Sequence, residues 1–245
     1  MHVPCNLYFV LSKVLLFNSL FMKKLLLPLF LACSPFLPAS AQGWQADYSG
    51  VMLQGFYWDS FSDTRWTKLE KQADELATYF DLIWIPQSGY CGSGNNMGYA
   101  PLYYFDQHSS FGSESELRSM ISTFKSKGLG VIADVVINHR SNVSNWVDFP
   151  SETYKGNTYQ MQSTDIVRND DGGATLNWAT TNGYTLSSNN DTGEGWSGMR
   201  DLDHKSENVN KSVKAYLDYL LNDLGYTGFR YDMVKGYSGE FTKLY

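Results

Sequence analysis

From Val51 onward the chain alternates short apolar runs with stretches whose apolar residues recur at helical spacing. Val51 to Phe56 reads as a strand, and Trp66, Leu69, Ala73, Leu76, Ala77 and Phe80 then share one helical face. Leu82-Ile83-Trp84-Ile85 is a short buried strand closed by Pro86. Ser113-Glu114-Ser115-Glu116 has the form of a capping box, with Leu117, Met120, Ile121 and Phe124 following on one face and Lys127-Gly128 as the stop. Val131 to Ile137 is a third apolar strand. Val209, Val213, Tyr216, Leu217, Leu220, Leu221 and Leu224 define a third helix ended by Gly225, and Gly228 to Tyr231 is a fourth strand. This alternation predicts an α/β fold with a parallel sheet and helices outside it.

One stretch breaks the pattern. From His139 to Arg200 there is no sustained helical period, and Asn, Asp, Gly, Ser and Thr are frequent. A structureless loop of that length does not suit a compact domain, so residues 139–200 read as an irregular subdomain inserted after the third strand. The layout is then 1–41 leader, 42–138 strands one to three, 139–200 insertion, and 201–245 continuation through the fourth strand.

Composition narrows the chemistry. The 245 residues carry 19 Lys+Arg against 25 Asp+Glu, a net charge of −6, which gives no basic footprint for nucleic acid. Aromatic residues reach 16%, with 17 Tyr and 7 Trp, a supply of flat surfaces for stacking. Met22-Lys23-Lys24, the apolar run Leu25 to Leu37 and Ala39-Ser40-Ala41 have the layout of a secretory signal peptide cleaved near Ala41, with Met22 as the true start. The apolar run is too short to span a bilayer. The mature chain would carry 16 basic and 25 acidic side chains, and Cys91 alone of the three cysteines, so no internal disulfide and no zinc pattern is expected.

Polar residues cluster at strand ends. The third strand runs Asp134-Val-Val-Ile-Asn138-His139 and the fourth Gly228-Phe-Arg230-Tyr-Asp232. A lone Asp after a strand is usually a helix cap, and a lone Arg a surface charge. Two strands ending in such groups at matching positions predict one rim where they converge, since reactive residues of parallel barrels lie at the carboxyl ends of the strands.

These two segments resemble signatures of the α-amylase family, glycoside hydrolase family 13. Gln54-Gly-Phe-Tyr-Trp58, Leu82-Ile-Trp-Ile-Pro86, Gly98-Tyr99-Ala-Pro101 with Tyr104-Phe-Asp106, Asp201-Leu-Asp-His204 and Lys235-Gly236-Tyr-Ser238 resemble further family segments in the same order. The resemblance implies a TIM (β/α)8 barrel and a retaining mechanism in which Asp232 is the nucleophile and Arg230 holds its charge. It implies that Tyr99, His139, Lys235 and Trp58 contact an α-1,4-glucan such as starch or glycogen. It also implies a structural Ca²⁺ held by Asn138, Asp191, Asp201 and the Gly236 carbonyl, all oxygen donors as a hard cation requires.

The family's acid/base carboxyl comes from the end of the next strand, and a His-Asp pair supplies a third carboxylate further on. Neither segment is read before Tyr245, and Glu240 falls where a helix should begin. The expectation is therefore an amino-terminal half-barrel of about four βα units, with exposed sheet edges, that does not turn over substrate alone. A transglycosylase of the same family and a non-catalytic glucan-binding protein are the alternatives. The partner expected is a polysaccharide or oligosaccharide, with no membrane span in the mature chain, and the place secreted or periplasmic.

Overall fold

The computed structural model describes residues 47–245, so the leader at 1–41 lies outside the described residues. Strands β1 (Met52–Gln54), β2 (Leu82–Ile85), β3 (Gly130–Val135) and β8 (Gly228–Tyr231) form one parallel sheet in the order β1-β2-β3-β8. Register pairs Met52 with Leu82, Leu82 with Gly130 and Ile132 with Gly228. The two central strands are buried, as the apolar runs required, with Ile83, Ile85, Val131 and Val135 fully inside. The flanking strands β1 and β8 remain partly exposed, and Met52 is 48% accessible.

The helices follow the sequence closely, with two differences. The face from Trp66 to Phe80 is split into α1 (Trp66–Glu70) and α2 (Ala73–Tyr79) by a turn at Lys71–Gln72, yet Trp66, Leu69 and Ala73 still bury together. Helix α3 (Glu114–Ser126) begins at the expected capping box. Ser113 Oγ accepts from the Glu116 N–H, and Glu116 Oε2 accepts from the Ser113 N–H at 2.7 Å. The third predicted helix is α-helical only over Glu207–Asp218 (α5). It widens into a π turn over Tyr219–Leu224, which keeps Tyr219, Leu220 and Leu224 buried before Gly225 ends it at φ +87°. A short α6 (Gly239–Leu244) follows β8.

The inserted segment is more regular than its composition suggested. Its ends are joined by β4 (His139–Arg140) pairing antiparallel with β7 (Arg200–Asp201), so that His139 faces Asp201. Between them lie a hairpin of β5 (Glu152–Tyr154) and β6 (Asn157–Tyr159), turned by Lys155 and Gly156 at positive φ, and an eight-residue helix α4 (Ala174–Thr181). That helix lacks a periodic apolar face, so no spacing signal announced it. Val147, Phe149, Met161, Ile166, Ala179 and Leu186 bury beneath, and Ser49–Tyr245 forms one compact unit.

A buried ion pair ties the insertion to the loop between β2 and α3. Arg140 pairs with Glu152 and donates to the Leu102 carbonyl at 2.8 and 3.1 Å, while its guanidinium covers the Tyr104 ring. Glu152 Oε1 in turn accepts from the Tyr104 and Phe105 N–H groups at 2.8 and 2.9 Å. Removing one partner strands the other charge in the interior. Glu152→Ala should therefore lower unfolding stability by about 3–5 kcal/mol, measured by denaturant titration.

Candidate active site

The carboxyl ends of β3 and β8 meet as the sequence predicted. Arg230 lies opposite Asp134 in the strand register, and Asp232 extends the ladder by donating its N–H to the Val135 carbonyl at 2.8 Å. Period-two geometry puts Arg230 and Asp232 on one face. Arg230 Nη1 donates to Asp232 Oδ1 at 2.7 Å and to Asp134 Oδ1 at 2.9 Å, and the guanidinium lies 4.8 Å from the Trp84 ring centroid. Asp134 also accepts from the Tyr99 hydroxyl at 2.9 Å. Burial pushes the Asp134 carboxyl above the usual carboxylate range, against the pull of Arg230 and Tyr99. After Asp232 the chain turns sharply at Met233, a non-glycine residue at φ +48°.

Asp232 faces a cavity of about 640 Å³ that Trp58, Tyr99, His139, Trp196 and Met233 also line. The Trp58 and Tyr99 rings are stacked nearly parallel, 8° apart with centroids at 6.1 Å, and His139 lies against Trp196 at 5.8 Å. Trp58 is 67% exposed. The His139 ring is fixed at both nitrogens. Nε2–H donates to the Tyr99 carbonyl at 3.0 Å, which leaves Nδ1 to accept from Asn138 Nδ2 at 3.2 Å. Lys235 is not among the cavity-lining residues; its ammonium pairs with Glu194 at 2.6 Å on the surface.

Asn138, Asp191, Asp201 and Gly236 come together behind this rim. Asn138 Nδ2 donates to Asp201 Oδ1 at 3.1 Å, and a Cβ built on Gly236 would fall 2.0 Å from Asn138 Oδ1. Asp191 Oδ2 is buried with no hydrogen-bond partner. Asp201 Oδ2 accepts from the Trp196 N–H, but burial and the neighbouring Asp170 and Asp191 carboxylates push the Asp201 pKa up to about 8. The segment carrying Asp191 lies along the loop after β8: Glu194 N–H donates to the Lys235 carbonyl and Ser238 N–H to Thr192 Oγ1, both at 2.9 Å. A buried carboxylate oxygen without a donor, beside a second carboxyl and an amide oxygen, is an acceptor set that suits a cation.

Two residues of the site were not singled out from the sequence. Asp134 was readable as a charge inside an apolar strand. Trp196 sits in the glycine-rich run Gly193–Gly198 and had no local signal; only the pairing of β4 with β7 carries it to the cavity.

The parallel strand-helix sheet thus carries an arginine-bound carboxylate at its carboxyl rim, open to a cavity walled by flat rings. The model of the alpha amylase catalytic domain matches residues 80–243, and the chain belongs to that family. It is 28% identical over 203 residues to alpha-amylase 3, chloroplastic, of Arabidopsis thaliana, covering 80% of this chain and 21% of that protein. It is likewise 28% identical over 199 residues to probable alpha-amylase 2 of the same plant, covering 80% and 44%. The chain thus spans less than half the length of these relatives. Among solved structures, wild-type alpha-amylase I from Eisenia fetida shares the fold with a TM-score of 0.53 at 20% identity, over 80% of this chain and 40% of that one. No helix among the described residues is long and apolar enough to cross a membrane.

Burial lowers the His139 pKa below 6.5, although the Tyr99 carbonyl and Asp232 oppose the shift. A protonated imidazole quenches a stacked indole. Indole emission should therefore titrate with a midpoint below 6.5, and the transition should vanish in Trp196→Phe. The same depression means that stability from a neutral His139 is complete above pH 6.5 and declines as pH falls towards the lowered pKa.

Proposed function

We propose that this chain carries the nucleophile and half of the sugar-binding cleft of a retaining α-amylase-type hydrolase acting on α-1,4-glucans. The observation that carries the reading is Asp232 at the cavity, with one oxygen held by Arg230 at 2.7 Å. A carboxylate fixed in this way can attack the anomeric carbon and form a glycosyl ester, expelling the rest of the chain as an alcohol. Tyr99 and Trp58 offer ring faces for the pyranose, and His139 stands at the same wall. Lys235 would reach the sugar only by leaving Glu194. Expulsion of an alcohol needs a proton donor, which the family resemblance places on a later strand. Asp134 does not suit that role, because Arg230 and Tyr99 already occupy its buried carboxyl. The leader sequence supports export of the protein to the places where glucan polymers are met.

An activated sugar separates the nucleophile from the acid. Fluoride leaves without protonation, so a fluorinated α-glucosyl fluoride should add one glycosyl unit to Asp232, seen in the intact mass and in peptide maps. Asp232→Asn should give no adduct while still binding maltohexaose. An adduct that persists in Asp232→Asn would overturn the assignment, and a wild-type protein that binds glucan but never labels would favour a binding protein.

Ca²⁺ fits the cluster behind the rim. Asn138 Oδ1, Asp191, Asp201 and the Gly236 carbonyl would hold it, and its charge would neutralise the Asp191–Asp201 pair and lock the insertion to the loop after Asp232. With the Asp201 pKa raised to about 8 from 3.8, the cation-free fold takes up a proton that the unfolded chain releases. Its stability should therefore fall as pH rises from about 4 to 8. Saturating Ca²⁺ should flatten that slope and add about 2.7 kcal/mol at a hundred times Kd. Thermal melts with Ca²⁺ and with a chelator across this range test it; melts indifferent to Ca²⁺ would contradict it.

A further inference from the structure

The backbone immediately after Asp232 is strained. Met233 holds φ at +48°, a left-handed conformation that bulky side chains rarely adopt. Such strain persists only where the surroundings over-determine it. Packing alone does not hold this turn, for Val234 and Lys235 are exposed. Hydrogen bonds do. The Gly236 N–H closes the turn on the Met233 carbonyl at 2.8 Å. The insertion then grips the same loop from outside. Glu194 N–H donates to the Lys235 carbonyl, and Ser238 N–H donates to Thr192 Oγ1, both at 2.9 Å. Between these two bonds Gly193 lies against bare backbone. A Cβ there would stand 2.3 Å from the Lys235 carbonyl oxygen, 2.6 Å from the Gly236 carbonyl carbon and 2.7 Å from the Tyr237 nitrogen, so only glycine allows the grip. Tyr237, buried with its ring 4.4 Å from the His204 ring, anchors the end of the loop. Arg230 holds the Asp232 carboxylate by one oxygen, so the backbone on either side sets where the other oxygen points. Before Asp232's side chain that backbone is fixed by the ladder bond to Val135, and after it by the Met233 turn.

We propose that Thr192 and Gly193 are positioning residues for Asp232. They keep the Met233 turn left-handed and thereby aim the carboxylate into the cavity. The inference rests on the reading of Asp232 as the nucleophile and adds what orients it: a segment of the insertion acts on the nucleophile through the backbone of the next loop.

The rate of labelling by the fluorinated α-glucosyl fluoride, at saturating reagent and with Ca²⁺ present throughout, tests it beside maltohexaose binding. Thr192→Val keeps the shape of the side chain and removes the acceptor. It should slow labelling of Asp232 about fivefold to tenfold, the equivalent of one hydrogen bond, and leave maltohexaose affinity unchanged. In a Met233→Gly background the same substitution should cost less than about twofold, because glycine adopts the turn without strain. A general loosening or a lost cation would slow both backgrounds alike. Thermal melts give an independent arm: Met233→Gly should melt above Met233→Ala, since both lose the side chain and only alanine keeps the strain. Thr192→Val that labels at the wild-type rate, or that slows both backgrounds equally, refutes the clamp while the reading of Asp232 stands. Met233→Ala melting as high as Met233→Gly refutes the strain on which the clamp depends. Wild type that never labels at Asp232 would overturn the nucleophile reading and this inference with it.

Discussion

The site depends on one guanidinium between two carboxylates. Asp134 is buried at the heart of the sheet, where an unpaired charge could not be kept. Arg230, on the adjacent strand in register, neutralises it and with the same Nη1 holds Asp232. Of the three, Asp232 is the one that lines the cavity, and a carboxylate there suits the proposed reaction, in which the sugar centre becomes cationic on the way to the glycosyl ester. Tyr99 links this trio to the walls, since its hydroxyl binds Asp134 and its carbonyl holds His139.

Around that bridge, the insertion is fastened at both ends. The β4–β7 pair places His139 opposite Asp201, so the residue at the cavity wall and the acidic cluster behind it share one two-residue ladder. Arg140, the next residue, holds Glu152 and the loop that carries Tyr104 and Phe105. The stretch that looked irregular in sequence therefore sets the spacing between the aromatic wall and the strand ends.

Much of the fold was legible because each signal was local. The Ser113–Glu116 box, the four-residue run Leu82–Ile85 and the span Gly228–Tyr231 depend on neighbouring residues only, and they appear where the spacing put them. The π turn at Tyr219–Leu224 was not legible, because Leu217, Leu220, Leu221 and Leu224 keep the three- and four-residue spacing of an α-helix. Asp232, Arg230 and His139 were found by their place at strand ends. Trp196 was not, because the pairing of β4 with β7, segments 60 residues apart, carries it to the cavity, where no spacing rule reaches.

In the proposed reaction Asp232 forms the covalent bond to a glucosyl unit. A crystal structure of the protein reacted with a slow glucosyl fluoride tests it most directly. The prediction is continuous density from a Asp232 carboxylate oxygen to the sugar's anomeric carbon, with the Tyr99 ring beneath the pyranose. An ester on another side chain, or a sugar bound away from the strand ends, would contradict it.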